Sequence, residues 1–122
     1  MHELAVTEDV LRIVLKHAES NNARKVVGVR LRIGELRDIV DEWMQRFFDY
    51  VSRGTIAEGA KLKIERSPIV FRCECEKTFA MPIEVFRESL KEKGEITCPR
   101  CKGINNDLCS GREFDIQGIE VR

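Results

Sequence analysis

The amino-acid sequence predicts an α+β fold: a small sheet carrying two helices, with a ribbon-like segment inserted ahead of the last strand. Three observations predict it. Val27, Val29, Leu31 and Ile33 alternate with Gly28, Arg30 and Arg32, the period-two pattern of a strand with one buried face. On either side of that strand, apolar residues recur at helical spacing, from Val10 to Ala18 and from Val40 to Val51. Four cysteines then arrive as two close pairs, Cys73-Glu74-Cys75 and Cys98-Pro99-Arg100-Cys101.

The 122 residues bound the chain to one domain or two very small ones. Lys and Arg number 21 and Asp and Glu 21, so no strong field draws the protein to nucleic acid or anionic lipid. No basic and apolar leader opens the chain, and no segment is long enough to span a membrane, which predicts a cytoplasmic protein. In that setting the five cysteines read as reduced thiols and metal ligands rather than disulfides.

Taken in order, Thr7 is the expected N-cap of the first helix, with Glu8 and Asp9 in its first turn. Val10, Leu11, Ile13, Val14, Leu15 and Ala18 form its broad apolar face, which ends near Ser20-Asn21-Asn22. Gly34 ends the strand that follows. Asp38 or Asp41 is placed to cap the second helix, whose Trp43, Phe47 and Val51 are expected in the core, with Gly54 as the residue just past its end. Leu62 and Ile64 alternate with Lys61, Lys63 and Glu65 in another strand, stopped by Ser67-Pro68. A boundary near Pro68 divides the chain into residues 1–68, completed by a C-terminal strand over 111–122, and an inserted domain over 69–110. Between the cysteine pairs, Pro82 starts and Gly94 ends a short helix with Ile83, Phe86 and Leu90 on one face. In the last strand, Phe114, Ile116, Ile119 and Val121 alternate around a phase slip at Gln117-Gly118, the mark of a bulge. That strand is expected to return to the first sheet.

Two thiolates from each of two tight turns close a tetrahedral site, the geometry Zn(II) takes with sulfur. Cys73, Cys75, Cys98 and Cys101 are therefore the expected zinc ligands. Pro99 stiffens the second turn, and Gly103 is the residue placed to take a positive φ after it. Four thiolates leave no open position for water, so the site reads as structural. Cys109 reads either as a small, half-buried apolar residue or as a substitute ligand for the tight first pair. Iron–sulfur or redox use of the thiols is the alternative chemistry.

His17 reads as a core or boundary histidine, because no ligand partner stands at metal spacing on its turn. His2 differs by position. A bulky second residue leaves Met1 uncleaved, so an α-amine, ionisable backbone amides and an imidazole gather within three residues. Such a nitrogen field suits Ni(II) or Cu(II). No nucleophile–base arrangement and no phosphate loop occur, so the chain is not read as an enzyme. Arg30 and Arg32 read as a solvated face.

Several stretches together resemble the HypA/HybF family of nickel metallochaperones in NiFe hydrogenase maturation. They are Met1-His2-Glu3-Leu4, the run Val29 to Leu36, the run Gly54-Thr55-Ile56-Ala57-Glu58-Gly59-Ala60, the cysteine turns and Ser110-Gly111-Arg112-Glu113. The resemblance implies a nickel-binding domain of two helices on a small sheet with an inserted zinc domain. It implies His2 as the key ligand of a transferred Ni(II), with the Met1 amine and the backbone nitrogens of His2 and Glu3 beside it, and the Glu3 side chain tuning the site. It maps Cys73, Cys75, Cys98 and Cys101 to structural Zn(II), with a C-x-C first pair where the family commonly has C-x-x-C. The implied partners are a HypB-like nickel GTPase and the hydrogenase large-subunit precursor, and some relatives also serve urease. A monomer or a homodimer suits the plan. The alternative reading is a zinc-ribbon module for protein or nucleic-acid interaction, which the balanced charge disfavours.

Overall fold

The computed structural model describes residues 3–122 and is mixed α+β with three helices and two small sheets. Two compact units divide it. One takes the chain through Arg32, then Asp38–Glu65 and Phe114–Arg122; the other takes Ile33–Arg37 and Arg66–Glu113.

The first unit opens with helix α1 (Glu3–Ser20). Thr7 is not its N-cap: it lies one turn inside, fully buried, with its hydroxyl donating to the Leu4 carbonyl at 2.8 Å. That back-bond satisfies the hydroxyl within the helix, so the helix has no reason to begin there. Val10, Val14 and Ala18 are no more than 1% exposed, whereas Ile13 is 39% exposed, so the buried face is narrower than the apolar face of the sequence. Asn22, at φ 54, turns the chain toward β1 (Val26–Gly34). Val29, Leu31 and Ile33 are buried while Arg30 and Arg32 are exposed, as the alternation predicts, but at the start of the strand Val26 and Gly28 are buried and Val27 only half-buried.

Helix α2 (Asp41–Val51) packs on α1. Its N-cap is Val40 rather than an aspartate, with no side-chain cap of its own. The Val40 amide instead donates to the Glu3 carboxylate at 3.3 Å, so a residue of α1 supplies the anion that the helix start attracts. Met44 and Phe48 are fully buried, but Trp43 is 47% exposed. The Trp43–Phe47 stripe is therefore not the core face of α2. Strand β2 (Lys61–Ser67) and the last strand flank β1, and Pro68 ends β2.

The second unit holds β3 (Ile69–Cys73), β4 (Thr78–Met81), α3 (Ile83–Lys93) and β5 (Asn106–Ser110). Strand β3 lies at the centre of an antiparallel sheet of order β4-β3-β5. Helix α3 has Pro82 as N-cap and Gly94 as a left-handed C-cap at φ 69, whose amide donates to the Leu90 carbonyl. None of its residues is fully buried, and Leu90 is exposed. The small core of this unit is aromatic, with Phe71 stacked on Phe79 and Phe86 at 5.6 and 6.2 Å between centroids.

The last strand, β6 (Phe114–Val121), joins β1 in the first sheet, whose order is β2-β1-β6. Phe114, Ile116 and Gly118 are half-buried in alternation, Ile119 follows out of phase, and Val121 is exposed. The slip therefore falls at Gly118-Ile119, one residue beyond the Gln117-Gly118 position read from the sequence. Just before it, the Glu113 carboxylate accepts from the amides of Gly111 at 2.7 Å and Arg112 at 3.1 Å and from the Ser110 hydroxyl at 3.1 Å. The neighbouring Ser67 hydroxyl is the largest influence on that carboxylate, although its oxygen lies outside hydrogen-bond geometry with any described partner. With the Gly111 amide and the Ser110 hydroxyl, it holds Glu113 down to about 2. The Ser110-Gly111-Arg112-Glu113 run is thus a self-bonded turn.

Candidate metal centre

The sequence brings the four cysteines in from three different local settings. Cys73 ends the central strand β3 and is buried; Cys75 follows it in an exposed turn; Cys98 is fully buried and Cys101 exposed, both in the turn after α3. Their four sulfurs all lie within 4.8 Å of one another. Cys73 Sγ stands 3.4 Å from Cys101 Sγ, and Cys75 Sγ 3.8 Å from Cys98 Sγ. A tetrahedral ion with Zn–S bonds near 2.3 Å spaces its sulfurs by about 3.8 Å. The arrangement therefore fits a four-thiolate metal ion.

The two turns are built alike, with one residue fewer in the first. Glu76 N–H donates to Cys73 O at 2.8 Å and Cys73 N–H to Lys77 O at 2.8 Å. In the second turn, Lys102 N–H donates to Cys98 O at 3.0 Å and Cys98 N–H to Gly103 O at 2.9 Å. The residue after each second cysteine is left-handed: Glu76 at φ 72 and Lys102 at φ 63. Lys102, not Gly103, takes the positive φ. Gly103 serves otherwise: its N–H donates to Cys101 Sγ at 3.3 Å, and a Cβ there would crowd that sulfur at 3.1 Å.

The sulfurs are electrostatically unequal. Backbone N–H groups of Cys101 and Arg100 favour the Cys98 thiolate and bring it down to about 6 against the cost of burial. At Cys73 the Cys75 amide pulls in the same direction, but burial and the three neighbouring sulfurs outweigh it and push the thiol up to about 12. Four thiols at this spacing cannot all ionise without a cation among them, whereas a bound dication favours all four thiolates.

Cys109 is outside the cluster. It is exposed on β5, its thiol 3.7 Å from the Asp107 carbonyl, so it is neither half-buried nor grouped with the other four. His17 is likewise exposed on α1 rather than at the core boundary. Met1 and His2 lie outside the described residues; Glu3 is described, and its carboxylate reaches the Val40 amide. The sequence reading missed Asn106. Its side-chain amide donates to Ile96 O at 2.7 Å and Gly103 O at 3.3 Å, tying β5 to both ends of the second cysteine turn. Only the flanking Asn105 and Asp107 hinted at a polar turn there, and they do not single it out.

A family model described as hydrogenase/urease nickel incorporation, metallochaperone HypA matches residues 1–121. Among curated proteins, the hydrogenase maturation factor HypA of Dehalococcoides mccartyi is 37% identical over 122 residues, 99% of this chain and 94% of that one. The factor of the same name from Picosynechococcus sp. is 34% identical, over 99% of each chain. Among solved structures, the Ni metallochaperone HypA from Helicobacter pylori superposes with a TM-score of 0.63 at 21% identity, covering 99% of this chain and 97% of that one. A further HypA solution structure gives 0.71 at 21% identity, covering 100% and 97%. These structural likenesses show the shared fold. The sequence matches run along nearly the whole chain, and by them it belongs to the HypA family of hydrogenase maturation factors.

Proposed function

We propose that this chain carries Ni(II) at its amino end and delivers it during maturation of a NiFe hydrogenase, with a permanent structural Zn(II) held by Cys73, Cys75, Cys98 and Cys101. The observation that carries the reading is the family match, which spans residues 1–121 and so includes the Met1-His2-Glu3 opening. The nickel ligands are the Met1 amine, the His2 imidazole and the backbone nitrogens of His2 and Glu3. These donors suit a tetragonal d⁸ ion. The Glu3 carboxylate already accepts the Val40 amide, which supports a role for Glu3 through its main chain rather than as a side-chain ligand.

The division of labour follows from ligand chemistry. A site with one side-chain ligand at a chain end is easily dismantled by a partner, as a carrier requires. Its donors must lose protons to bind, so nickel affinity falls in acid. Four soft thiolates suit zinc and close its coordination sphere, leaving no position for catalysis. The protein is accordingly a carrier and not an enzyme. It works in the cytoplasm, as a monomer or homodimer, with a HypB-like GTPase and the hydrogenase large-subunit precursor as its exchange partners. Among the described residues, no helix is long and apolar enough to cross a membrane.

Titration calorimetry with Ni(II) on the wild type, on His2→Gln and on a form extended by one residue before Met1 tests the reading. Loss of the high-affinity phase in both variants is expected. Unchanged affinity in both overturns the site.

A further inference from the structure

Helix α2 carries an apolar stripe besides the one it buries. Met44 and Phe48 are in the core, whereas Val40, Trp43 and Tyr50 are 47%, 47% and 62% exposed, with Phe47 half-buried between them. At about 100° per residue the side chains of Trp43, Phe47 and Tyr50 fall within about 60° of arc, so they form one continuous row, which Val40 precedes at the N-cap. Trp43 and Phe47 stack at 5.9 Å between centroids. The Arg46 guanidinium lies 5.4 Å from the Trp43 ring centroid, and that of Arg53 lies 5.4 Å from the Tyr50 centroid. The same aromatic–arginine pair therefore occurs twice, seven residues apart, along one edge of the stripe.

Single exposed apolar side chains need no account, but a contiguous aromatic row does. Trp, Tyr and Arg are the residue types that carry most binding energy at protein interfaces. Stacking the guanidinium groups on the rings holds both in place before a partner arrives, which lowers the entropy cost of docking. The charge narrows the occupant. Among the described residues, no carboxylate stands within ion-pair distance of Arg46 or Arg53. The acidic residues nearest in the helix, Glu42 and Asp49, fall beyond the arginines from the stripe, and Asp49 already accepts the Gln45 side-chain amide at 2.8 Å. The charges that border the stripe directly are the two guanidinium groups, which favour carboxylates over ammonium groups on a docked partner. A second copy laid face to face brings four arginines to one seam.

We propose that this face docks an acidic amphipathic helix of a partner protein. Its apolar edge lies on Trp43 and Phe47, and two carboxylates seven residues apart meet Arg46 and Arg53.

Trp43 is the one tryptophan of the chain, so its fluorescence reports on the stripe alone. The test titrates the full-length, metal-loaded protein with a synthetic helix of roughly five turns that carries a leucine stripe and two flanking glutamates seven residues apart. A twin peptide carries lysines in place of those glutamates. Saturable binding with a blue shift is expected for the acidic peptide, at least about tenfold tighter than for the twin. Tyr50→Ala weakens it by about tenfold, and Arg46→Glu with Arg53→Glu reverses the preference between the peptides. Far-UV circular dichroism and metal content stay at wild-type values, because Met44, Phe48 and the cysteines are untouched. Equal affinity for the two peptides, no saturable binding, or a fluorescence change that follows self-association in sedimentation overturns the proposal.

Discussion

Glu76 and Lys102 occupy the same left-handed conformation, φ 72 and φ 63, each one residue past the second cysteine of its turn. The equivalence lets a C-x-C pair present its sulfurs to the cluster as the C-x-x-C pair does. The short turn loses one residue between its cysteines, yet keeps the amide-to-carbonyl closure and the left-handed exit that aim both sulfurs inward.

The arrangement predicts that Cys75 binds the metal and Cys109 does not. Cys75→Ser is expected to lower bound zinc to well below one per chain and to remove the thiolate charge-transfer band of a cobalt-substituted sample. Cys109→Ser is expected to leave both unchanged. Elemental analysis after gel filtration, with absorption spectra of the cobalt form, measures this.

The left-handed residues also store strain. An L-residue pays about 1–2 kcal/mol to stand in this region, and glycine pays far less while losing some unfolded-chain entropy. Glu76→Gly is expected to stabilise the protein by about 0.5–1 kcal/mol. Urea unfolding of the zinc-loaded protein gives the value, and a loss of stability of that size would refute the strain argument.

Gly34 faces the opposite constraint. A Cβ there would overlap the Gly111 carbonyl, a main-chain atom that cannot swing aside. Gly34→Ala is expected to cost about 3 kcal/mol. Gly54 is the control: its φ is +78 but nothing stands within 4 Å of an added Cβ, so Gly54→Ala should cost only about 1 kcal/mol. Chemical unfolding of both variants separates steric overlap from backbone strain.

Glu113 makes stability depend on acid. Its carboxyl lies at about 2 in the folded chain against 4.5 ordinarily, so the unfolded state binds the proton first as pH falls. The stabilisation is complete above about pH 4.5 and disappears as pH drops toward 2. Glu113→Gln is therefore expected to be less stable than wild type at neutral pH, with the two curves converging through that window. Melting temperatures measured from pH 7 to pH 2 report it; parallel curves would show that Glu113 does not titrate as described.

The amino-acid sequence by itself determined the elements whose signals are local. The alternation in β1, the Pro82 start and Gly94 end of α3, the return of the last strand to the first sheet and the two cysteine turns were all legible, because periodicity, caps and ligand spacing act over a few residues. Strands β4 and β5 were not, since Thr78–Met81 and Asn106–Ser110 are short edge strands without a strong alternation, and only pairing to β3 makes them strands. Thr7 and Asp41 are not the N-caps their chemistry suggests, because Thr7 bonds back to Leu4 inside α1 and Val40 is the cap of α2. Both stripes of α2 read alike in sequence. Only packing against α1 decided that Met44 and Phe48 go inside while Trp43 stays out, for burial is a property of the neighbour as much as of the residue.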